Sequence, residues 1–94
     1  MEVIVTKTFL KDLRNKPRDV VDAVNKLIGI LESADSLIHS GVDFKRLEGQ
    51  KKEDNYYRIR IGSWRIGIEY VHPKIIVIRI LARGEVYKHF PPGN

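Results

Sequence analysis

The stretch from Tyr57 to Val71 constrains the fold more than any other part of the chain. Tyr57-Arg58-Ile59-Arg60-Ile61 alternates apolar and polar residues without a break, and Trp64-Arg65-Ile66-Gly67-Ile68-Glu69-Tyr70-Val71 does so again. A period of two marks strands with one face buried and one face open. Between them stands Gly62-Ser63. Glycine at the first central position suits a two-residue type II′ hairpin turn. Such a turn fixes the register, and register fixes which side chains share a face. Ile61 then pairs with Trp64, Arg60 with Arg65, Ile59 with Ile66 and Arg58 with Gly67.

His72-Pro73-Lys74 reads as the next turn, and Ile75 to Leu81 as a third strand. With a three-residue loop, Val71 pairs with Ile75, Glu69 with Val77, Gly67 with Arg79 and Arg65 with Leu81. One face of this meander then carries Tyr57, Ile59, Ile61, Trp64, Ile66, Ile68, Tyr70, Ile76, Ile78 and Ile80. The other carries Arg58, Arg60, Arg65, Arg79 and, a step further on, Arg83. Glu69 is the only acid there. Like charges in direct cross-strand register destabilise a sheet, so stability alone would not select this arrangement. Arginine also presents a rigid fork that binds phosphate through two hydrogen bonds, where lysine acts as a point charge. Gly67, in the middle of the arginines, leaves room for a ligand or another backbone to come close. Two readings stay open for this face: a phosphate or nucleic-acid site, or the solvated side of an antiparallel sheet.

Upstream, Val3-Ile4-Val5 is a short β-branched run that suits a strand buried on both faces. Thr6 or Thr8 can cap a short helix ending near Arg14, with Phe9, Leu10 and Leu13 facing inward. Pro17 fits the first turn of a second helix, which runs to about Glu32. Val20, Val24, Leu27, Ile28 and Leu31 form its apolar stripe, and Asp19 and Asp22 suit the positive end of its dipole. Gly29 weakens the helix interior and offers room for close packing. Residues 33–43 read as a helix end and a loop. The sum is an α+β domain spanning 1–94: an N-terminal strand, two helices, then an antiparallel three-strand meander, giving one twisted sheet with the helices on one face.

Composition narrows the chemistry. With no cysteine in 94 residues, disulfides, thiolate metal sites and a cysteine nucleophile are excluded. No His, Asp and Glu cluster has metal-ligand spacing, so neither a metal nor another cofactor is expected. No apolar run approaches the roughly 18 residues that span a bilayer, so a cytoplasmic location is the default expectation. The net charge is +5, and its placement is uneven. Residues 1–50 hold eight basic and eight acidic side chains, while residues 51–94 hold nine and four. An excess confined to one half points toward an anionic partner.

Leu47-Glu48-Gly49, the run from Tyr57 through Arg65, and Leu81-Ala82-Arg83-Gly84-Glu85-Val86-Tyr87 together resemble the RelE/ParE superfamily of type II toxins. That pattern is a Leu-x-Gly, a Tyr-Arg-Ile-Arg-like strand, a glycine turn, an aromatic-Arg-hydrophobic strand and a terminal Arg-x-x-x-Tyr. The resemblance covers nearly the whole chain. It implies a toxin neutralised by a cognate antitoxin, in a toxin–antitoxin hetero-oligomer. Of the RelE type, it implies a ribosome-dependent endoribonuclease that cuts mRNA without a metal, the ribose 2′-OH attacking the adjacent phosphate. Carried over by position, Arg65 and Arg83 clamp the scissile phosphate. Arg58 and Arg60 hold the RNA backbone, with Arg79 on the same face. Tyr87 stacks on a base or moves a proton. A ParE-like toxin that inhibits DNA gyrase by binding, and a non-catalytic relative, are the alternatives. No general base is identified, because arginine keeps its proton; Glu69, Glu85, His39, His72 and His89 read as solvated surface groups rather than catalysts. Phe90, Pro91 and Pro92 are the expected exposed apolar contacts for an antitoxin.

Overall fold

Gly62 adopts a φ of +59° while no non-glycine residue among those described has a positive φ, which is the signature of a type II′ turn rather than a type I′ one. The hairpin it closes has the register expected from the sequence, with Ile61 opposite Trp64, Arg60 opposite Arg65 and Arg58 opposite Gly67. The structure is a computed structural model describing residues 1–91. Pro92, one of the expected antitoxin contacts, lies outside them.

The elements run β1 (Glu2–Val5), α1 (Lys7–Leu13), α2 (Arg18–Ser33), β2 (Phe44–Arg46), β3 (Tyr56–Ile61), β4 (Trp64–Val71), β5 (Lys74–Ala82) and α3 (Val86–His89). They build one sheet in the order β1-β5-β4-β3-β2. β1 lies parallel to β5, and the other pairings are antiparallel. Phe9, Val24, Leu27 and Leu31 from α1 and α2 meet Ile59, Ile66, Ile68 and Ile80 in the main core. Thr6 caps α1, its hydroxyl accepting from the Phe9 amide at 3.1 Å and donating to the Ile78 carbonyl at 3.0 Å. One hydroxyl thus starts the helix and ties it to β5.

Several expectations need correction. β1 is an edge strand rather than one buried on both faces, and Ile4 is 37% exposed. Leu10 faces solvent, because α1 is a short helix whose inward side is taken by Phe9. Pro17 sits one residue before α2, its carbonyl accepting from the Val20 and Val21 amides. Gly29 packs against nothing. The 33–43 loop leads into a strand not read from the sequence, β2, which pairs with β3.

The β4–β5 connection is the most informative difference. Its loop has two residues, His72 and Pro73, so Val71 pairs with Lys74 rather than Ile75, and Glu69 with Ile76 rather than Val77. A bulge at Ile78 then inserts one residue, so that Ile68 faces Val77 while Gly67 faces Arg79. The bulge restores the expected register for Gly67–Arg79 and Arg65–Leu81. It also reverses the phase of the strand's first half. Ile75 and Val77 are buried in the main core, and Ile76 and Ile78 are not part of that face.

Ile78 instead joins a second apolar cluster with Leu47, Val86, Phe90, Tyr56 and Leu81. This cluster brings α3 onto the face opposite α1 and α2, so the helices are not all on one side. Phe90, expected to be exposed, is 2% exposed. Its ring lies on Gly67: a Cβ added there would stand 2.8 Å from two of its ring carbons. The room that Gly67 leaves is filled by the chain's own C-terminal aromatic residue.

Candidate nucleic-acid interface

Among the described residues Arg65 is the buried charged side chain, at 8% exposure. Its position on β4 directs it away from the core face, beside the hairpin turn. There one guanidinium nitrogen donates to the Gly62 carbonyl at 3.0 Å and the Trp64 carbonyl at 2.9 Å. These neutral acceptors hold the fork without cancelling its charge. Burial pushes the Arg65 pKa below the ordinary arginine value, and the positive charges of Arg60, Arg58 and Arg83 push it the same way. Tyr87 acts in the opposite direction. The guanidinium still keeps its proton at neutral pH. Arg65 is therefore a desolvated cation held among other cations. That arrangement costs free energy in the empty protein and favours an anion placed among them.

The structure brings the neighbours together from three elements. Arg60 is exposed and stands directly opposite Arg65. Arg58, on the same strand, is paired to Asp43 at 3.3 Å with its side chain 17% exposed. Its Nε is buried and has no hydrogen-bond partner. Arg83 is exposed, and its backbone amide donates to the Ser63 carbonyl at 3.1 Å, which ties the end of β5 to the hairpin turn. Gly84 follows with a φ of +89°, a turn that side-chain-bearing residues disfavour. The turn leads into α3, where Tyr87 is 63% exposed. Tyr87 and Arg58 line one cleft together with Lys45, Arg46, Leu47 and Glu48.

Arg79 is placed differently. It lies opposite Gly67 as expected, but its fork is taken by Asp12 of α1, at 2.8 Å to Nε and 3.0 Å to a terminal nitrogen. The hydrogen bond to Asp12 raises the Arg79 pKa further. The Asp12 carboxylate offsets the charge of Arg79, and the guanidinium donors are engaged within the protein.

Lys45 is not marked by any motif in the sequence. Lys45 sits opposite Arg58 in the β2–β3 pairing and forms an ion pair with Glu48 at 3.5 Å. The signal that could have found it is the Phe44-Lys45-Arg46 triplet, too short to register as a strand on its own. The titratable groups noted earlier have local partners. His39 bonds Ser36, His72 bonds Tyr70, and Glu85 pairs with Lys88 and His89. Glu69 lies opposite Tyr56 at the other end of β3. Among the described residues, no group of three His, Cys, Asp or Glu side chains is placed to hold a metal ion. No helix there is long and apolar enough to cross a membrane.

A sheet backed by two helices on one face, with a buried arginine, satellite arginines and an exposed tyrosine on the other, is the α+β arrangement that the resemblance to RelE/ParE toxins implies. Comparison with known proteins narrows this. No family model matches the chain. Over 91 residues it is 38% identical to toxin RelE3 of Methanocaldococcus jannaschii, covering 97% of this chain and 100% of the relative. A toxin–antitoxin RelB–RelE crystal structure from Methanococcus jannaschii aligns with a TM-score of 0.75 at 36% identity, covering 94% of this chain and 99% of that one. The RelE–RelB complex of Pyrococcus horikoshii OT3 shares the fold, with a TM-score of 0.68 at 24% identity over 88% of this chain and 94% of that one. The chain belongs to the RelE family of toxins.

Proposed function

We propose that this toxin is a ribosome-dependent endoribonuclease that cuts mRNA, acts in the cytoplasm and is held inactive by a cognate antitoxin. The observation that carries the reading is Arg65, a buried cation with no acid among its hydrogen-bond partners, surrounded by Arg58, Arg60 and Arg83 and reached by Tyr87. RNA cleavage without a metal places extra negative charge on the phosphate as the ribose 2′-OH attacks it. The bond to the 5′ oxygen then breaks, leaving a 2′,3′-cyclic phosphate and a 5′-hydroxyl. Fixed positive groups in a desolvated site stabilise that developing charge most effectively, because they need not reorganise as it forms.

In this reading Arg65 and Arg83 clamp the scissile phosphate, and Arg58 and Arg60 grip its neighbours. Arg79, paired with Asp12, is held within the protein and takes no direct part. Tyr87, exposed beside Arg58, stacks on a base or carries a proton. Solved structures similar to this chain include complexes with a RelB antitoxin. For this chain the corresponding partner would be an antitoxin segment that covers the arginine face and neutralises it.

Purified protein added to a translating system, with cuts mapped by primer extension, tests the reading. Ribosome-dependent cuts are expected, and Arg65→Ala, Arg83→Ala and Tyr87→Ala each slow them by about 10²-fold or more. A chain that leaves the message intact with and without ribosomes would overturn it. One observation favours a second reading, a toxin that binds RNA without cutting it. The charged neighbours of Arg65 are Arg58, Arg60 and Arg83, and an arginine keeps its proton, so none of them is a ready acid or base. That reading predicts full binding and no cleavage in the same experiment.

A further inference from the structure

We propose that Phe90 and Gly67 form a seat that positions Tyr87 over the arginine cluster, so that Phe90 is a positioning residue for the reaction. The inference rests on the nuclease reading for its catalytic consequence, and on packing alone for its structural one. α3 has only four residues, Val86–His89, and its N-cap residue Glu85 makes no side-chain capping bond. A helix of one turn does not hold together by itself. Something outside it must fix it in place.

The fixing residues are Val86, at 0% exposure, and Phe90, at 2%. They stand four apart, on one side of the turn. Tyr87, next to Val86, is carried on the outward side at 63% exposure. Phe90 is set edge-on against Tyr56, with ring centroids 5.4 Å apart. Its ring also presses on the β4 backbone at Gly67, where any side chain would collide with it. Gly67 lies between Arg58 on β3 and Arg79 on β5. The one gap in the row of arginine-bearing strands therefore receives the aromatic ring that anchors the segment bearing Tyr87. Where Tyr87 stands relative to Arg58 and Arg65 is set by how deeply Phe90 sits. Displacements of an ångström at a reacting centre are enough to cost large factors in rate.

Two variants disturb the seat from opposite sides: Phe90→Leu removes the ring, and Gly67→Ala fills its place. The first readout is amide hydrogen exchange on the free protein. The Lys88 and His89 amides, which donate to the Glu85 carbonyl, are expected to exchange at least about 10-fold faster in both variants. Amides in β3, β4 and β5 keep their protection, which separates a loosened α3 from an unfolded chain. The second readout is cleavage of ribosome-bound mRNA. Phe90→Leu is expected to lower kcat by about 10-fold or more with KM little changed. In a Tyr87→Ala background the same substitution has no further effect, since there is no longer a tyrosine to position.

Unchanged α3 exchange in both variants overturns the proposal. So does a Phe90→Leu effect that multiplies independently with Tyr87→Ala, which is the behaviour of a purely structural residue. Failure of the wild-type chain to cut mRNA is a different result. It removes the nuclease reading and the catalytic role of the seat with it, while the exchange data still decide whether the seat holds α3.

Discussion

Arg60 and Arg65 face each other across the β3–β4 pairing, and each is costly to the other. Arg60 is exposed, so replacing it removes repulsion without opening a cavity. Arg60→Gln is expected to stabilise the fold by about 0.2–1 kcal/mol at low salt. The gain shrinks toward zero near ~1 M salt, where the screening length falls to about 3 Å. Paired urea melts at the two salt concentrations measure it, and a variant no more stable than wild type at low salt contradicts the repulsion. The same change should weaken RNA cleavage, so stability and activity move in opposite directions. Tyr56 packs against Phe90 in the second apolar cluster. Burial raises its pKa, and the negative charges of Glu69 and Asp54 raise it further. The folded phenol then keeps its proton at pH values where the unfolded chain has released it. Below the ordinary tyrosine range both states are protonated and nothing is lost. As pH rises through that range stability falls, because the folded state binds the extra proton. Melts at pH ~8 and ~10.5 should show a smaller drop in Tyr56→Phe than in wild type; an identical drop would place the alkaline sensitivity elsewhere.

Asp12 on α1 holds β5 by three hydrogen bonds at once, two from Arg79 and one from the Ile80 amide at 3.1 Å. The Ile80 amide lies beyond the end of β1, on an edge that would otherwise lack a partner. Removing the carboxylate strips both the guanidinium and the amide, whereas removing the guanidinium leaves the amide bonded. Asp12→Ala should therefore cost about 1.5–3 kcal/mol and Arg79→Ala clearly less. Equal losses in urea unfolding would contradict this account of the edge. The same elements show what periodicity can and cannot convey. Gly62-Ser63 pinned the β3–β4 register because a glycine at a defined turn position leaves little choice. Ile75-Ile76-Val77-Ile78 is apolar in both phases, so alternation carried no information about which residues face the core, and neither the two-residue loop nor the compensating bulge was visible. β2 is three residues long, below the length at which any period shows, and with it Lys45 was missed. The cluster of Arg58, Arg60, Arg65, Arg83 and Tyr87 could be read because hairpin geometry and the Arg-x-x-x-Tyr ending place it locally. The engagement of Arg79 could not, since Asp12 is 67 positions away in sequence. Nor could the burial of Phe90, since a gap at Gly67 does not say what fills it.

The net charge of +5 arises from the half of the chain that builds the meander, and the fold turns that excess into a local field. Arg60, Arg83 and Lys45 present it to solvent, and Arg58 and Arg65 hold it in less water. A field of this kind attracts single-stranded RNA by releasing the counterions condensed on its phosphates, with about 0.7 of an ion released per phosphate neutralised. Three or four such contacts give a log–log slope of affinity against salt of about −2 to −3. Arg60→Gln and Arg83→Gln should each make the slope shallower by about 0.7 and weaken binding across all sequences alike. Arg18 supplies the comparison. It is equally cationic and 89% exposed, but it sits on α2 beside Asp22, on the side of the sheet away from the cluster. Arg18→Gln lowers the net charge by the same unit and should leave the slope unchanged. If all three variants shift it equally, attraction comes from total charge and the arginine face has no special part in it. If only the two face variants do, the uneven placement of charge along the chain is what directs the molecule to RNA, and the face that bears Arg65 is where the phosphates lie.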